Sequence, residues 1–519
     1  TINIVTKSTE LSEGGKVSAT VGNDGYLKTV MTYNTGVSDS GHAFSASFGR
    51  TAGDGYVDGT PFEGYSYFLG YGYKSDDGKN NLQFIVTGAP QVHGQRTTSY
   101  YNMATLEDYR DYGVKYNYNY GLRNGEGFNM RNNYYHKPIA SLNWELKLNN
   151  KTSLSATAYA SLGRGGGSGD LGRNGSFGFF SSSRWRNPDN GYVLWDEVVK
   201  HNSGQTANWR YGSTSMGVDA STGQYIVNDE SFSSRSEYPR RNGWIQRNSV
   251  NSHNWFGAIA NLKTELAENL TLDVGFDSRF YKGLHYRNVR DLLGSDGYRD
   301  SRYNGAPNTS GVVAATKEYQ WPIGDVWNVF GDTDAEEKID RNNNGVIDYF
   351  GLYFQLEYLM DDISIFVQGS GSNKGYQREE FYLYADGDPL QYSEKTNIAG
   401  GTIKAGANWN IDAQNNLFAN AGYFSKQPNL NTVFQNYDQI ATPDDELFNE
   451  KIVGLELGYG FRSRTFDFNV NLYSTTWTDR FLFENVTING ERGEANFSGV
   501  KQVHTGLEFD GVWQLSPFV

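Results

Sequence analysis

Apolar and polar residues alternate over long stretches of this chain, most clearly between residues 453 and 477. Every second side chain is apolar over residues 453–461, and the pattern resumes over residues 466–472 after a short polar interruption. A period of two over this length predicts two antiparallel strands, each with one apolar face and one face of glycine and polar residues. The alternating apolar residues are Val453, Leu455, Leu457, Tyr459, Phe461, Phe466, Phe468, Val470 and Leu472.

The same hairpin recurs along the chain with connections of alternating length. Tight turns follow Leu148, Leu266, Leu359 and Ile411, and each joins two alternating runs. In an up-and-down sheet, alternate connections lie at opposite ends, so one end carries short turns and the other carries large loops. The segments that join one hairpin to the next are long, polar and aromatic, and they include residues 94–137, 163–253 and 283–348.

The two faces of these strands predict the surroundings of the sheet. A large barrel with its apolar face inside would enclose an unfilled apolar cavity, whereas an outward apolar face meets lipid. We therefore predict an all-β fold, a transmembrane antiparallel up-and-down β-barrel with long extracellular loops. The apolar positions of the 453–477 hairpin should point outward, and the segment Arg462-Ser463-Arg464 should lie at the periplasmic rim. The residues expected to line the lumen are Glu456, Asp467, Asn469 and Asn471.

Composition agrees with strands and excludes several classes of protein. Aromatic residues make up 15% of the 519 residues and glycine occurs 61 times, which favours strands and turns over helices. The formal net charge of −14, with no basic stripe, argues against a nucleic-acid partner. Cysteine is absent, so the chain has no disulfide or thiolate metal site. A soluble β-propeller or solenoid lectin, the alternative from another class, would require a regular repeat, and the connections vary too much for one.

Several short stretches resemble the TonB-dependent receptors of bacterial outer membranes, in particular those large-loop members that transport nutrients. Individually these motifs are short, but they follow one another in the family's order and cover most of the chain. The resembling stretches are Thr1-Ile2-Asn3-Ile4-Val5-Thr6-Lys7, Asp54-Gly55-Tyr56-Val57-Asp58-Gly59-Thr60, Gly88-Ala89-Pro90-Gln91-Val92-His93-Gly94-Gln95-Arg96, Leu162-Gly163-Arg164-Gly165-Gly166-Gly167, Asn449-Glu450-Lys451 with Leu455-Glu456-Leu457-Gly458, and Val503-His504-Thr505-Gly506-Leu507-Glu508.

The resemblance implies a function and a set of partners. Members of this family have a 22-stranded barrel around a plug domain and import bulky nutrients with energy relayed by TonB. We therefore expect a bacterial outer-membrane location, with membrane lipid, the TonB complex and an extracellular nutrient (a glycan, peptide or metal chelate) as partners. A surface lipoprotein could be a further partner. A passive porin, or a surface-binding barrel without energy coupling, shares every strand feature and is the alternative.

The resemblance also divides the chain. Residues 1–15 are expected to be the end of a plug domain and its link to the barrel, and residues 16–519 the barrel itself. No plug precedes Thr1, so the segment that contacts TonB is expected to lie outside this sequence. The final residues, Leu515-Ser516-Pro517-Phe518-Val519, do not have the family's amphipathic last strand with a terminal aromatic. We expect a barrel that is incomplete at its C-terminus.

One polar segment resembles a calcium-binding loop. Oxygen-bearing side chains occupy the first, third, fifth and ninth places of a loop beginning at residue 340, and Gly345 occupies the sixth, as in an EF-hand. The twelfth place is Gly351 and not the bidentate glutamate, and the alternative is an Asn/Asp/Gly-rich turn leading into a strand. Calcium is the only cofactor that any pattern suggests, and it would order an extracellular loop. The candidate ligands are Asp340, Asn342, Asn344 and Asp348.

The other motifs in the sequence give only weak indications of catalysis, metal binding or ligand binding. No carboxylate pair, nucleophile elbow or paired histidines indicate catalysis or zinc, so we do not expect an enzyme. Residues 163–169 are glycine-rich and are predicted to be a flexible strand-to-loop junction. Aromatic residues in the loops could stack on a ligand, but for each one the structural role of packing the loops or lining the membrane interface is favoured. They are Tyr100, Tyr101, Tyr109, Tyr112, Tyr116, Tyr118, Tyr120, Trp185, Trp195 and Trp209.

Overall fold

The structure is a computed structural model of the 519-residue chain. It describes residues 7–96, 104–174, 183–210, 212–220, 222–228, 242–299, 314–434, 447–488 and 491–515.

Strands dominate the described residues. The 25 strands are β1 (Gly14–Val21), β2 (Leu27–Asn34), β3 (His42–Gly53), β4 (Phe62–Lys74), β5 (Asn80–Gly88), β6 (Gln91–Gly94), β7 (Tyr120–Arg123), β8 (Glu126–Asn129), β9 (Asn132–His136), β10 (Ile139–Lys147), β11 (Thr152–Asn174), β12 (Val193–Leu194), β13 (Ala207–Trp209), β14 (Gly212–Thr214), β15 (Ile226–Asn228), β16 (Asn242–Ala267), β17 (Leu270–Asp291), β18 (Gly297–Arg299), β19 (Ile339–Met360), β20 (Ile363–Glu380), β21 (Thr396–Asn410), β22 (Asn415–Lys426), β23 (Glu450–Arg462), β24 (Phe466–Ile488) and β25 (Glu491–Trp513). The described helices are α1 (Leu106–Tyr112), α2 (Trp195–Asn202), α3 (Ile323–Val326) and α4 (Leu430–Val433).

Most of these strands form one antiparallel meander, as the alternating pattern predicted. The order is β1-β2-β3-β4-β5-β10-β11-β16-β17-β19-β20-β21-β22-β23-β24-β25, each strand pairing with the next. The short strands β6 and β9 bridge β4 and β11 beyond this meander. The connections β10–β11, β16–β17, β19–β20, β21–β22 and β23–β24 are all tight turns, as predicted. The 22-stranded barrel that the family resemblance implies stays a prediction.

The first hairpin shows how local sequence sets a turn. Asp24 has a φ of 52° and Gly25 a φ of 68°, in the left-handed region that a tight β-hairpin turn requires. Asp and Gly tolerate that region better than other residues do, so the Asn23-Asp24-Gly25 segment reverses the chain between β1 and β2.

Hairpin β23–β24 carries the two predicted faces. Leu457 pairs with Leu472 across the ladder, and these side chains are 47% and 50% exposed. On the other face, Glu456 accepts hydrogen bonds from Asn471 (2.7 Å) and Asn420 (3.0 Å). A contiguous row of exposed leucines would be unfavourable in water and is the expected surface of a strand against lipid. The hairpin therefore has an outer apolar face and an inner polar face.

The outer apolar face ends at a definite level. On β19 every second side chain from Tyr358 to Phe350 is apolar, which is about 26 Å of strand and enough for the lipid-facing band of a barrel. Beyond Phe350 (51% exposed) the same face continues with Asp348. On the neighbouring β17, Phe280 is followed on that face by Lys282. This change from apolar to charged residues marks the outer membrane interface.

The strands continue well past this level, which corrects the predicted loop boundaries. Residues 163–174 and 242–253 were expected in a loop but belong to β11 and β16, and residues 283–291 and 339–348 belong to β17 and β19. There the loops pack against the strands, and buried apolar and polar residues are mixed on both faces: Trp244 and Ile245, which lie on opposite faces of β16, are both fully buried, beside the equally buried Asn248. No period of two therefore remains in the sequence. Backbone pairing needs no apolar side chain, and the ladders simply continue.

The glycine-rich segment 163–169 is corrected in the same way. It is not a flexible junction but lies within β11, paired with both β16 and β9. A Cβ on Gly163 would lie 2.4 Å from the His253 ring, and one on Gly166 would lie 2.7 Å from the Ser249 carbonyl oxygen. Glycine is therefore required because neighbouring strands approach closely, not because the chain bends.

The N-terminal segment lies against the inner face of the sheet. The Ser8 amide donates a hydrogen bond to Gln83 (3.1 Å), and Gln83 donates one to the Thr9 hydroxyl (3.0 Å). Lys7 pairs with Glu145 at 2.9 Å. The strand predicted at Ile2 to Val5 lies outside the described residues, and the domain boundary at residue 15 stays a prediction.

The face assignment can be tested by introducing a charge. We expect Leu457→Arg or Val470→Arg to cost about 2–4 kcal/mol each, because an arginine on the lipid face must be buried in hydrocarbon. Folding into lipid vesicles, followed by the shift in gel mobility of unheated samples, measures this effect. Asn469→Arg, one residue from Val470 on the inner face, is the matched control and should fold normally. Equal folding of all three variants would contradict the assignment.

Candidate functional site

Beyond the membrane interface, the long connections fold into an ordered extracellular cap. One apolar core in this cap contains Trp185, Trp195 and Trp244, which are at most 2% exposed. A second core lies around Ile245 and Val289, near the ends of β16 and β17. The connections are therefore packed structures with their own cores, as expected for large loops that carry function.

The aromatic residues considered as a ligand platform mostly build this cap. Tyr116, Trp185 and Trp195 are buried, and Tyr118 and Trp209 pack against the first core. The others make ring contacts at the surface: Arg96 lies over Tyr109 at 5.6 Å, Tyr112 contacts Tyr116 at 5.0 Å, and Tyr120 contacts Tyr192 at 5.1 Å. Tyr100 and Tyr101 lie outside the described residues. These contacts agree with the packing role that the sequence favoured.

Helix α2 ties the cap to the barrel strands. The Asn202 amide group donates hydrogen bonds to the carbonyl oxygens of Trp244 (2.7 Å) and Leu293 (3.0 Å). His201 donates from Nε2 to the Asn242 carbonyl oxygen at 2.7 Å. Burial lowers the pKa of His201, and burial raises the pKa of Tyr116 to about 12, so both remain neutral near neutral pH. Neutral, hydrogen-bonded side chains are what a buried attachment requires.

Two stretches that carry the family resemblance meet in this cap. Asn129 donates hydrogen bonds to the carbonyl oxygens of Gly59 (2.6 Å) and Gln95 (3.0 Å). A Cβ on Gly94 would lie only 2.2 Å from the Gly59 carbonyl oxygen. The glycines thus allow two loops to touch, and a buried asparagine joins them. These motifs have a structural role in this chain.

A further part of the cap, residues 314–338, covers the wall of the barrel. Trp321 stacks on Tyr134 with ring centroids 4.9 Å apart, and Trp327 stacks on Tyr67 at 5.5 Å. Asn288 donates to the Thr333 hydroxyl at 2.7 Å in a buried position. This segment was expected to be an irregular polar loop, and the sequence signal it does carry is its pair of tryptophans.

The predicted calcium-binding residues lie in a strand and not in a loop. Asp340 forms an ion pair with Arg287 at a bulge, with a φ of 59°. Eight residues of strand separate Asp340 and Asp348 by about 26 Å, so the predicted ligands do not converge on one ion. Among the described residues, no group of three or more His, Asp or Glu side chains could hold a metal. Calcium binding at Asp340, Asn342, Asn344 and Asp348 stays a prediction, and it requires a different conformation of this segment.

The remaining candidate ligands are engaged within the protein, Asn344 and Asp348 through their side chains and Asn342 through its backbone. Asn344 donates to Glu379 at 2.7 Å, and Asp348 pairs with Lys395. The Asn342 carbonyl oxygen accepts a hydrogen bond from the Phe381 amide at 2.8 Å. The polar outer surface above the membrane interface is therefore neutralised locally.

The inner wall is the remaining candidate site. It combines charged, amide and aromatic side chains from many strands: Asp273 accepts a hydrogen bond from Asn261 at 3.1 Å, and Asp277 pairs with Arg279 at 3.2 Å. A second inner cluster packs the loop at α4 against β20, where Tyr376 donates to the Pro428 carbonyl oxygen at 2.7 Å. The inner wall of the described strands is therefore polar and is flanked by packed loops.

No helix within the described ranges is both long and apolar enough to cross a bilayer.

Comparison with solved structures identifies the fold. The chain is similar to the copper transporter OprC, with a TM-score of 0.57 and 11% identity, over 97% of this chain and 59% of that one. It is also similar to the ferric-catecholate import receptor Fiu from E. coli K12 (TM-score 0.56, 12% identity, 98% and 63% covered) and to the ferric citrate transporter FecA (0.55, 11%, 97% and 56%). No protein-family model and no curated protein matches the chain.

These similarities confirm the predicted resemblance at the level of the fold. The chain has the transmembrane β-barrel fold of the TonB-dependent outer-membrane receptors. It spans about three fifths of the length of the structures it matches.

The tryptophan core can be tested for its role in the cap. We expect Trp195→Ala to destabilise the cap by roughly 3–5 kcal/mol, because it leaves a large cavity in the apolar core that Trp195 shares with Trp185 and Trp244. Hydrogen exchange of α2 and its neighbours measures the loss, while exchange in β20–β23 should not change. Leu106→Ala, at a side chain that is 78% exposed, is the control. An unchanged cap in Trp195→Ala would contradict this account.

The attachment of α2 should depend on pH. The unfolded chain protonates His201 near pH 6.5, whereas the buried side chain has a lowered pKa, so stability falls as the pH drops below about 6.5. We expect lower protection factors in α2 at pH 5.5 than at pH 7.5, after the exchange rates are corrected for the intrinsic pH dependence of amide exchange. His201→Gln, which keeps a hydrogen-bond donor, should remove most of this difference. A pH dependence that persists in the variant would assign it to another group.

Proposed function

We propose that this chain is the barrel of a TonB-dependent outer-membrane receptor that takes up a bulky nutrient. The main support is the combination of a receptor-type barrel fold with a polar inner wall and a packed extracellular cap. A bulky solute needs a wide lumen, and a selective receptor needs ordered loops at its mouth. The location would be the bacterial outer membrane.

Energy coupling is part of this proposal. The chain spans about three fifths of the similar structures, and a plug domain outside this sequence would contact TonB. The segment from Lys7 to Glu10, which lies against the inner wall, would then be the connection between plug and barrel. A surface lipoprotein could cover the cap as an additional partner.

The cargo class is also a proposal. The similar structures include proteins named for copper, ferric catecholate and ferric citrate, which favours a metal chelate over a glycan or peptide. A passive porin is the alternative function, because its strands would carry the same faces. A soluble lectin is disfavoured by the exposed apolar outer face.

Uptake in living cells separates a coupled receptor from a porin. Cells that carry the full-length protein would be given a metal chelate, a glycan or a peptide as the limiting nutrient, with and without TonB. We expect uptake that requires TonB and stops when the proton gradient is collapsed, because a plugged barrel opens only with energy. Cells that produce the folding-defective Leu457→Arg variant are the control for uptake by other routes. Uptake that continues without TonB would identify a passive barrel.

A further inference from the structure

Four basic side chains lie on the inner face of the part of the sheet that runs from β17 to β24. They are Arg279 on β17, Lys374 on β20, Lys426 on β22 and Arg480 on β24. Arg279 pairs across the ladder with Tyr349, and Tyr349 pairs with Lys374, so these residues share one level and one face. Phe280 follows Arg279 and Phe350 follows Tyr349, and both phenylalanine side chains point outward. We call this set of four cations the inner belt.

The inner belt has more positive than negative charge. Arg279 contacts Asp277 at 3.2 Å, while Lys426 (3.0 Å) and Arg480 (2.8 Å) share the single carboxylate of Glu450. Four cations therefore face two carboxylates among the described contacts. This local excess of positive charge contrasts with the net charge of −14 of the whole chain. A concentration of one charge in a partly enclosed lumen attracts solutes of the other sign.

Lys374 is the least neutralised member of the inner belt. Its Nζ has a hydrogen bond to the Pro428 carbonyl oxygen at 3.5 Å, and no carboxylate lies within ion-pair distance of it among the described residues. Arg279 and Lys426 both lie close enough to repel it. Such an arrangement is unfavourable for the protein alone, since burial and like charges both oppose the charged amine. An added anion would relieve it.

Aromatic rings hold these cations in place. Arg279 lies 5.7 Å from the Trp255 ring and 5.6 Å from the Tyr349 ring, and Lys374 lies 5.1 Å from the Tyr376 ring. Trp477 lies under both remaining cations, 6.0 Å from Lys426 and 5.2 Å from Arg480. A cation over a ring face is positioned without using its N–H donors, which remain able to bind an oxyanion.

The inner belt lies where a solute would enter the lumen. Its level is that of the outer membrane interface, and the loop that carries α4 packs beside it through Tyr376 and Pro428. Gln427 from the same loop donates to the Ser372 hydroxyl at 2.8 Å. A solute that has passed the cap therefore meets the inner belt before the deeper wall.

We propose that the inner belt binds an anionic solute with several carboxylate or phosphate groups, and that the cargo of this receptor belongs to this class. The inference rests on the proposed function and narrows it. Neutral glycans would gain little from four cations, whereas an oxyanion can accept a charge-assisted hydrogen bond from each. Both oxyanion chemistries satisfy the same donors, so the experiment must distinguish them.

Equilibrium binding to the purified full-length protein tests the inference. The probes are mellitate for carboxylates, inositol hexakisphosphate for phosphates and maltohexaose as the neutral comparison, measured by titration calorimetry in detergent. We expect both polyanions to bind more tightly than maltohexaose, and their affinity to fall as salt is raised. The tighter of the two polyanions identifies the oxyanion chemistry.

Variants then assign the binding to the inner belt. The double variant Arg279→Gln/Lys374→Gln should lose about tenfold or more in polyanion affinity, since each charge-assisted bond contributes a factor of this order. Lys282→Gln removes a cation from the outer face of the same strand, where it pairs with Glu379 at 2.8 Å, and should leave affinity unchanged. Arg279→Lys keeps the positive charge and should retain most of the polyanion binding. It therefore shows that a loss of affinity in the double variant comes from the lost charges and not from misfolding.

Two results would overturn the inference. One is maltohexaose binding as tightly as either polyanion, and the other is unchanged polyanion affinity in the double variant. Binding in detergent requires no TonB, so a failure of coupled uptake would leave this result standing. Conversely, coupled uptake of a neutral nutrient would leave the proposed function intact and refute the inner belt as its site.

Discussion

Backbone hydrogen bonding in a medium without water is the constraint on which this structure depends. In lipid, each strand must give its N–H and C=O groups to neighbouring strands, and the meander from β1 to β25 does this in one continuous antiparallel ladder. The side chains are then free to differ between faces. Leucines such as Leu457 and Leu472 meet lipid, while Glu456 and its asparagine partners remain inside. The arrangement is the reverse of that in a soluble protein: the apolar side chains face outward to lipid, and the polar side chains line the lumen.

Above the membrane the requirement is different, and the structure changes accordingly. The strands remain paired, and the connections between them pack into ordinary buried cores that also cover parts of the strand ends. Trp185, Trp195 and Trp244 form one of these cores, and Asn202 attaches α2 to the backbone carbonyl groups of Trp244 in β16 and of Leu293, two residues beyond the end of β17. The cap is thus fixed relative to the strands of the wall.

The alternation of apolar and polar residues predicted the strands correctly where one face contacts lipid, and it missed them where neither face does. The β23–β24 hairpin was predicted with its faces and its turn, because a period of two survives only when the two faces have different surroundings. The ends of β11, β16, β17 and β19 were missed for the same reason, since apolar and polar residues are mixed on both faces there. The calcium pattern at Asp340 failed to form a loop because pairing with β17 and β20 extends that segment.

By itself, the sequence determined the class of fold, the short-turn end of the barrel and the lipid-facing residues, because alternation along one strand is a local property. It also placed Arg279, Lys374, Lys426 and Arg480 as isolated charges with nothing to connect them. Only the tertiary structure decided that they lie together on the inner wall, where Arg279 and Lys374 both flank Tyr349 and where Lys426 and Arg480 share Glu450. That grouping depends on ladder register between strands far apart in the chain, which no local pattern encodes.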